Sequence, residues 1–352
     1  MKVAIIGSYP PPFGGISVHV KRLADILEKN GVQVAVYDVD NTSESGDARL
    51  KRIACGELWV LKYLFTMDED IIHVHTHNWK YRAAMTFISQ VRRKRIILTF
   101  HSLRDEIEGM GAIMAALAQY VFKNADVFIT VGENEREKLE AWGCSKDKIR
   151  SISSFLPPGA SDYALPGYVD EFMGRHDLIA AANGSNMDFY RGEDIYGLDM
   201  IVELCARVSQ KYDVGFIYCI SKGNLNNKGY YEHMKGIIRE KGIDDRFIFV
   251  HENISMDAIL KRADIFIRPT NTDSYGMSVA EAIYYCVPAI ASDVCKRPKG
   301  SVLFKSRDME DLYEKTVDVI ENIGEHRRSI EHVAAEDNGE AIVQVYKNLR
   351  GD

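Results

Sequence analysis

The chain has 352 residues, a mass of 39.8 kDa, 46% hydrophobic and 27% charged residues, which excludes a disordered chain and asks for two cores rather than one. Its net charge of −7 is uneven, with 21 Lys+Arg against 19 Asp+Glu in residues 1–150 and 23 against 32 in the remainder. That leaves no basic stripe of the kind a nucleic-acid binder carries, so nucleic acid is excluded as a partner.

In chain order, KVAII (2–6), VQVAVYDV (32–39), DIIHVH (70–75), RIILTF (95–100), DVFITV (126–131) and KIRSIS (148–153) are short, apolar and rich in β-branched residues, which predicts strands. Amphipathic stretches such as 17–29 and 134–142 lie between them and predict helices. Strand and helix alternating at this spacing imply a parallel sheet covered on both faces. The most apolar stretch, residues 111–122, is broken by Gln119 and is shorter than the ~18–20 residues that cross a bilayer. At 153–159 the pattern lapses into SSFLPPG, where two prolines and a glycine oppose both helix and central strand.

The alternation then resumes. DLIAAA (177–182), VGFIYCI (214–220), RFIFV (246–250), DIFIRP (264–269) and PAIAS (288–292) read as strands, with helices near 198–211, 229–241, 256–262, 277–285 and 309–322. The expected organisation is therefore an α/β domain over 1–152, a linker over 153–160, a second α/β domain over 161–335 and a terminal helix over 336–352. Ile342, Val343, Val345, Tyr346 and Leu349 give that last helix an apolar stripe suited to docking on the first domain. Two parallel sheets with their carboxyl ends facing a cleft would hold two substrates there. The six cysteines show no C-x-x-C pair, and Met1-Lys2 runs straight into Val3-Ala4-Ile5-Ile6 with no signal-peptide pattern, so reduced structural thiols in a cytoplasmic protein are expected.

Three segments carry chemistry. GSYPPPFGGISVHV (7–20) follows a strand and opens a helix, so Gly14 and Gly15 allow close approach of an anion to free backbone N–H groups; a tight turn without a ligand is the alternative. It lacks the G-x-G-x-x-G dinucleotide pattern. In IIHVHTHNW, His73, His75 and His77 alternate about 6.5 Å apart on one face of an extended segment. They suit zinc, a cleft role at the strand end, or plain capping; His77 falls past the strand, which counts against zinc. His101 holds the same place after the next strand, where an imidazole can give a hydrogen bond or a proton.

The third segment is DIFIRPTNTDSYGMSVAEAIYYCVPAIASD (264–293), in which a strand, a polar loop with Asp273 and a helix opening near Gly276 lead to Glu281. Two carboxylates with the N–H groups of Gly276, Met277 and Ser278 between them match the order of parts in a sugar nucleotide: sugar hydroxyls, diphosphate, ribose hydroxyls. An N-cap followed by a solvated glutamate would look the same.

Over nearly its whole length the chain resembles glycosyltransferase family 4, the retaining GT-B enzymes. The likeness rests on Gly14-Gly15 and the following helix, the strands ending in His75 and His101, the linker, and the family's E-x7-E motif, here Asp273 and Glu281 followed by CVPAIASD. It is nearest a subgroup marked by RPT…D…S-x-x-EA and RPxG, here Arg268-Pro269-Thr270, Ser278, Glu281-Ala282 and Arg297-Pro298-Lys299-Gly300. The resemblance implies two Rossmann-like parallel-sheet domains of the GT-B fold facing a cleft. It implies a UDP- or GDP-linked sugar donor, no resident metal or other cofactor, and a glycan or lipid-linked acceptor in cell-surface polysaccharide or glycoconjugate synthesis.

By the same resemblance His101 and Asp273 face the reacting sugar, and Glu281 binds the ribose. Tyr275, Gly276, Met277 and Ser278 line the diphosphate, while Gly14, Gly15, His75 and His77 form the acceptor or phosphate side. Two departures stand out. Asp273 is shorter than the usual Glu, and Ser185 and Tyr196 occupy the places of the usual Arg and Lys, leaving Arg191, Arg268 or Lys222 to meet the diphosphate. Those altered positions motivate the alternative of a non-catalytic nucleotide-sugar or glycan-binding protein with the same fold. Arg92-Arg93-Lys94-Arg95 and the helix over 109–122 suggest peripheral contact with an anionic membrane at its cytoplasmic face; a basic helix end and a core helix are the alternative.

Overall fold

The computed structural model describes every residue except 54–55, 104–108, 160–163, 221–224, 253, 334–337 and 352. The chain forms two compact units, one of residues 1–159 with 337–352 and one of residues 160–336. The limits expected at 160–161 and 335–336 lie outside the described residues.

In the first unit the strands are β1 (Lys2–Gly7), β2 (Gln33–Asp38), β3 (Leu50–Arg52), β4 (Ile71–Val74), β5 (Arg95–Phe100), β6 (Val127–Thr130) and β7 (Ile149–Ser151). They form one parallel sheet in the order β3-β2-β1-β4-β5-β6-β7. β4 and β6 are buried along their whole length, which is why their sequences are continuous apolar runs rather than alternating ones. The helices are α1 (Gly15–Lys29), α2 (Gly56–Thr66), α3 (Trp79–Arg92), α4 (Ala112–Asn124) and α5 (Glu133–Ala141).

The second unit contains β8 (Leu178–Asn183), β9 (Phe189–Tyr190), β10 (Glu193–Asp194), β11 (Val214–Cys219), β12 (Phe247–Val250), β13 (Ile265–Arg268), β14 (Ala289–Ser292) and β15 (Val302–Phe304). Its parallel sheet runs β12-β11-β8-β13-β14-β15, and β9 and β10 form a separate antiparallel hairpin. The helices are α6 (Gly167–Met173), α7 (Leu198–Val208), α8 (Lys228–Glu240), α9 (Met256–Leu260), α10 (Met277–Tyr284), α11 (Met309–Glu321) and α12 (Ile323–Glu331). The final helix, α13 (Gly339–Arg350), belongs to the first unit, where Ile342, Val343, Val345 and Tyr346 share a core with Val20, Leu23 and Leu27 of α1.

The segment leaving the first sheet is fastened to these helices. The His19 ring Nδ1 lies 2.8 Å from the Ser154 carbonyl, Arg22 donates to the Leu156 carbonyl, and Asn338 donates to Ser153 Oγ and the Phe155 carbonyl. Each hydrogen bond satisfies a backbone or hydroxyl group that no sheet partner reaches.

Each sheet reverses its strand order once, between β1 and β4 in the first unit and between β8 and β13 in the second. At such a point the connections leave to opposite faces and open a crevice beyond the carboxyl ends of the strands, where ligands of parallel α/β sheets bind.

Candidate functional site

In the second unit, β8 ends at Asn183 and β13 at Arg268, one on each side of the reversal. Arg268 donates from Nη1 to the Asn183 carbonyl at 3.1 Å and to Asn183 Oδ1 at 2.9 Å, and Ser278 Oγ reaches the same Oδ1 at 3.2 Å. Asn183 thus ties the strand-end guanidinium to the first turn of α10. The Arg268 guanidinium carbon stands 5.0 Å above the Tyr196 ring, the position at which the family resemblance expects a lysine.

Asp273 sits in the loop between β13 and α10 and joins two arginines. Its Oδ2 accepts from Arg268 Nε at 3.3 Å and Arg297 Nη1 at 2.8 Å, and its Oδ1 accepts from the Ser274 amide at 3.0 Å. Burial alone would raise the Asp273 carboxyl, but the Arg268 and Arg297 guanidiniums outweigh it and hold the group ionised far below the usual carboxylate range. Arg297 is itself buried and donates from Nε to the Ser292 carbonyl and from Nη2 to Thr270 Oγ1 and Ser292 Oγ. It therefore locks the RPT loop onto the end of β14.

Gly276 follows with φ of +88°, and a Cβ there would lie 2.6 Å from Arg297 Nη1, so both backbone conformation and packing require glycine. α10 begins at the next residue, so the Met277 and Ser278 amides are first-turn donors with no intrahelical carbonyl to reach. Tyr275, Ser278 and Glu281 are buried, Glu281 to 3% exposure, and Met277 is partly exposed. Arg191 does not join this group: it is exposed at the tip of the β9–β10 hairpin, over the Tyr190 ring. Asn271 ties that hairpin to the RPT loop by donating to the Tyr190 and Glu193 carbonyls. Lys222 lies outside the described residues.

The switch point of the first unit has a different chemistry. Gly7 ends β1 so close to β4 that a Cβ would meet His75 Cβ at 3.0 Å. Gly14 caps α1, held by its amide to Ser17 Oγ at 2.9 Å, and Gly15 is exposed in the first turn. His75 follows β4 and is closed to solvent at 1% exposure; His77 lies beyond it on the surface; His101 follows β5 and is partly exposed. His75 Nδ1 and His101 Nε2 are 3.0 Å apart. Burial pushes His73, His75 and His101 well below the usual imidazole range and His19 down to about 4, so all four rings are neutral at pH 7.

The zinc trio suggested by alternation at 73, 75 and 77 does not form. His73 packs its ring 4.0 Å from that of His75, but both its nitrogens are taken, Nδ1 by the Tyr346 hydroxyl and Nε2 by Thr99 Oγ1 at 2.7 Å, and His77 is exposed. The imidazole that does join His75 and His101 is His19 of α1, with ring centroids 5.3 and 5.0 Å away.

Comparison with known proteins decides the family. Residues 13–158 match the family model described as Glycosyltransferase Family 4, and residues 191–336 match that of Glycosyl transferases group 1. The chain belongs to the GT-B glycosyltransferases. This glycosyltransferase is 21% identical, over 84% of its length and 81% of the other, to an uncharacterized glycosyltransferase of Methanocaldococcus jannaschii. It is 21% identical to the phosphatidyl-myo-inositol mannosyltransferase of Mycobacterium leprae, over 80% of its own chain and 75% of that one. Among solved structures, Anabaena HepE in complex with UDP and glucose superposes with a TM-score of 0.73 at 13% identity, covering 99% and 100% of the two chains. Sucrose-phosphate synthase of Thermosynechococcus elongatus superposes with a TM-score of 0.72 at 16% identity, covering 100% and 99%.

Three residues of the glycosyltransferase's switch points escaped sequence reasoning as site residues: Asn183, Arg297 and His19. Arg297 carried a signal, since it opens the RPxG motif, and Asn183 heads the segment in which the expected arginine and lysine are absent. His19 carried none, because its neighbours are set by sheet order.

Proposed function

We propose that the chain is a retaining glycosyltransferase that moves a sugar from a UDP- or GDP-linked donor to a glycan or lipid-linked acceptor. The observation that carries the reading is the Arg268 group: a guanidinium fixed by Asn183 and Asp273 beside the first-turn amides of α10. Such an array meets the charge that develops on a leaving diphosphate and needs no reorganisation to do so. UDP in the Anabaena HepE structure and the lipid named in the mycobacterial relative support the donor and acceptor classes.

In this mechanism the bond from the sugar's anomeric carbon to the diphosphate breaks, the acceptor hydroxyl bonds to the same face, and its proton passes to the departing phosphate oxygen. Arg268 and the Met277 and Ser278 amides hold the diphosphate, and Glu281 takes the ribose hydroxyls. Asp273 is a positioning residue for Arg268, because both its oxygens are engaged by the loop and the two arginines. The first unit contributes His101, whose neutral ring gives a hydrogen bond to a sugar hydroxyl, and the Gly14-Gly15 loop on the acceptor side.

We also infer peripheral contact with an anionic lipid surface. Leu58, Leu61 and Phe65 lie along one face of α2 at 66%, 59% and 74% exposure, and Phe87 and Val91 of the neighbouring α3 are also exposed. The basic run contributes less than its sequence suggests. Arg92 donates to the Leu64, Phe65 and Met67 carbonyls, and Lys94 and Arg95 pair with Asp70 and Asp126, which leaves Arg93 exposed.

Incubation with a panel of UDP- and GDP-sugars, with detection of free nucleotide and sugar, tests the transfer reading through slow donor hydrolysis. Arg268→Ala should lower that rate roughly 10²- to 10³-fold. Glu281→Gln should weaken nucleotide binding, and His101→Ala should depress turnover more than affinity. If no nucleotide raises the melting temperature and no donor is hydrolysed, the chain is a glycan-binding protein instead.

A further inference from the structure

We propose that His19, His75 and His101 form a binding site for a divalent transition-metal ion of the zinc class. Their ring centroids make a nearly equilateral triangle with sides of 5.3, 5.0 and 5.3 Å, and one ring nitrogen from each lies within 4.8 Å of one from either of the others. Tetrahedral zinc holds imidazole nitrogens about 2.0–2.1 Å from the metal, hence about 3.4 Å apart, so the rings close on an ion by rotations of about 1 Å at their tips.

Two further observations point to a ligand. Nε2 of His19 and Nε2 of His75 are buried and have no hydrogen-bond partner among the described residues, a state that costs free energy until something accepts or supplies a bond. The tautomer of His19 is also set for a metal. Its Nδ1 faces the Ser154 carbonyl at 2.8 Å, an oxygen that only accepts, so Nδ1 carries the proton and Nε2 presents its lone pair. A carbonyl on the far nitrogen is the usual orienting contact of a metal-bound histidine. Three nitrogens leave the fourth position of a tetrahedron open, and imidazole donors suit zinc, cobalt, nickel and copper over magnesium or calcium. His101 is also the ring that the proposed transfer assigns to the sugar, so the test reads metal binding itself rather than activity.

The full-length chain, stripped with chelator and then titrated with zinc in competition with a chromophoric chelator, tests this directly. One equivalent is expected to bind at micromolar affinity or tighter, and cobalt is expected to give the intense visible bands of a four-coordinate site. His19→Ala and His101→Ala should each weaken zinc at least tenfold while His77→Ala leaves it unchanged, with circular dichroism confirming that each variant is folded. Because His101 is partly exposed, its variant keeps the test valid if the His19 variant fails to fold. Absence of one-equivalent binding, or binding unaltered in the folded His101 variant, overturns the site.

Discussion

The two switch points occupy equivalent places in two sheets and solve the same problem with opposite chemistry. In the second unit, charge is brought in and paired: Arg268, Asp273 and Arg297 share hydrogen bonds with Asn183, Thr270 and Ser292, drawn from the ends of β8, β13 and β14 and the loops that follow β13 and β14. In the first unit, four imidazoles pack together uncharged, with two ring nitrogens left unpaired among the described residues. A paired charge cluster is rigid and holds its geometry before a ligand arrives, whereas neutral rings with free nitrogens are open to whatever proton, metal or hydroxyl reaches them. The first arrangement suits a group of fixed charge such as a diphosphate; the second suits ligands that vary.

The strongest way to break the comparison is to unpair the charged cluster. Arg297→Ala removes one partner of a buried ion pair and leaves Asp273 with Arg268 alone, which costs about 3–5 kcal/mol. In a unit of this size that lowers the melting temperature by roughly 10 °C or more, measured by calorimetry. Arg297→Lys should recover little, because a single ammonium cannot serve Ser292, Thr270 and Asp273 together. A melting temperature unchanged by Arg297→Ala would mean that the cluster is not held by this residue.

Acid sharpens the contrast. A histidine whose folded value lies below its unfolded 6.5 makes the unfolded chain bind more protons, so its contribution to stability is complete above about pH 6.5 and is lost as pH falls toward the folded value, about 4 for His19. One such ring accounts for up to roughly 3 kcal/mol over that window. The Asp273 cluster loses stability in the same direction but in a lower window: its carboxyl is depressed, so its contribution is present above the ordinary carboxylate value and is lost only at lower pH. In chelator-treated protein, hydrogen exchange at pH 5 should therefore open β4, β5 and α1 while α10 and β13 stay protected. Equal loss of protection in both units would remove the distinction.

How much of this was legible follows from what burial does to a sequence. Strands such as β4, β5, β8 and β13 are covered on both faces and read as unbroken apolar runs, so they were found within one or two residues. β3, β15 and the β9–β10 hairpin have two or three residues each, at sheet edges or outside the sheets, and lack such a run. Asp273, Gly276, Ser278 and Glu281 are neighbours in sequence, and spacing alone grouped them. Asn183 meets Arg268 across 85 residues, and His19 meets His75 across 56, by strand order that no local pattern encodes. Proximity in sequence was misleading for Arg191, the nearest basic residue to the altered positions, because a hairpin carries it to the surface.

The smallest effect concerns the exposed apolar side chains of α2 in the first unit. Leu61 and Phe65 are 59% and 74% exposed, so replacing each by Ser should change stability by less than about 0.5 kcal/mol. The same change removes apolar area that would enter a lipid interface, and Arg93→Glu exchanges an attraction to anionic headgroups of about 1 kcal/mol for a repulsion. Co-sedimentation with phosphatidylglycerol vesicles at low salt should fall several-fold for the Leu61→Ser, Phe65→Ser double variant and about tenfold when Arg93→Glu is added. Binding to neutral vesicles should be weak throughout. If the double variant sediments like the parent, α2 is not the lipid-facing element; if the parent does not sediment at all, the proposed membrane contact is lost while the proposed donor chemistry of the second unit stands.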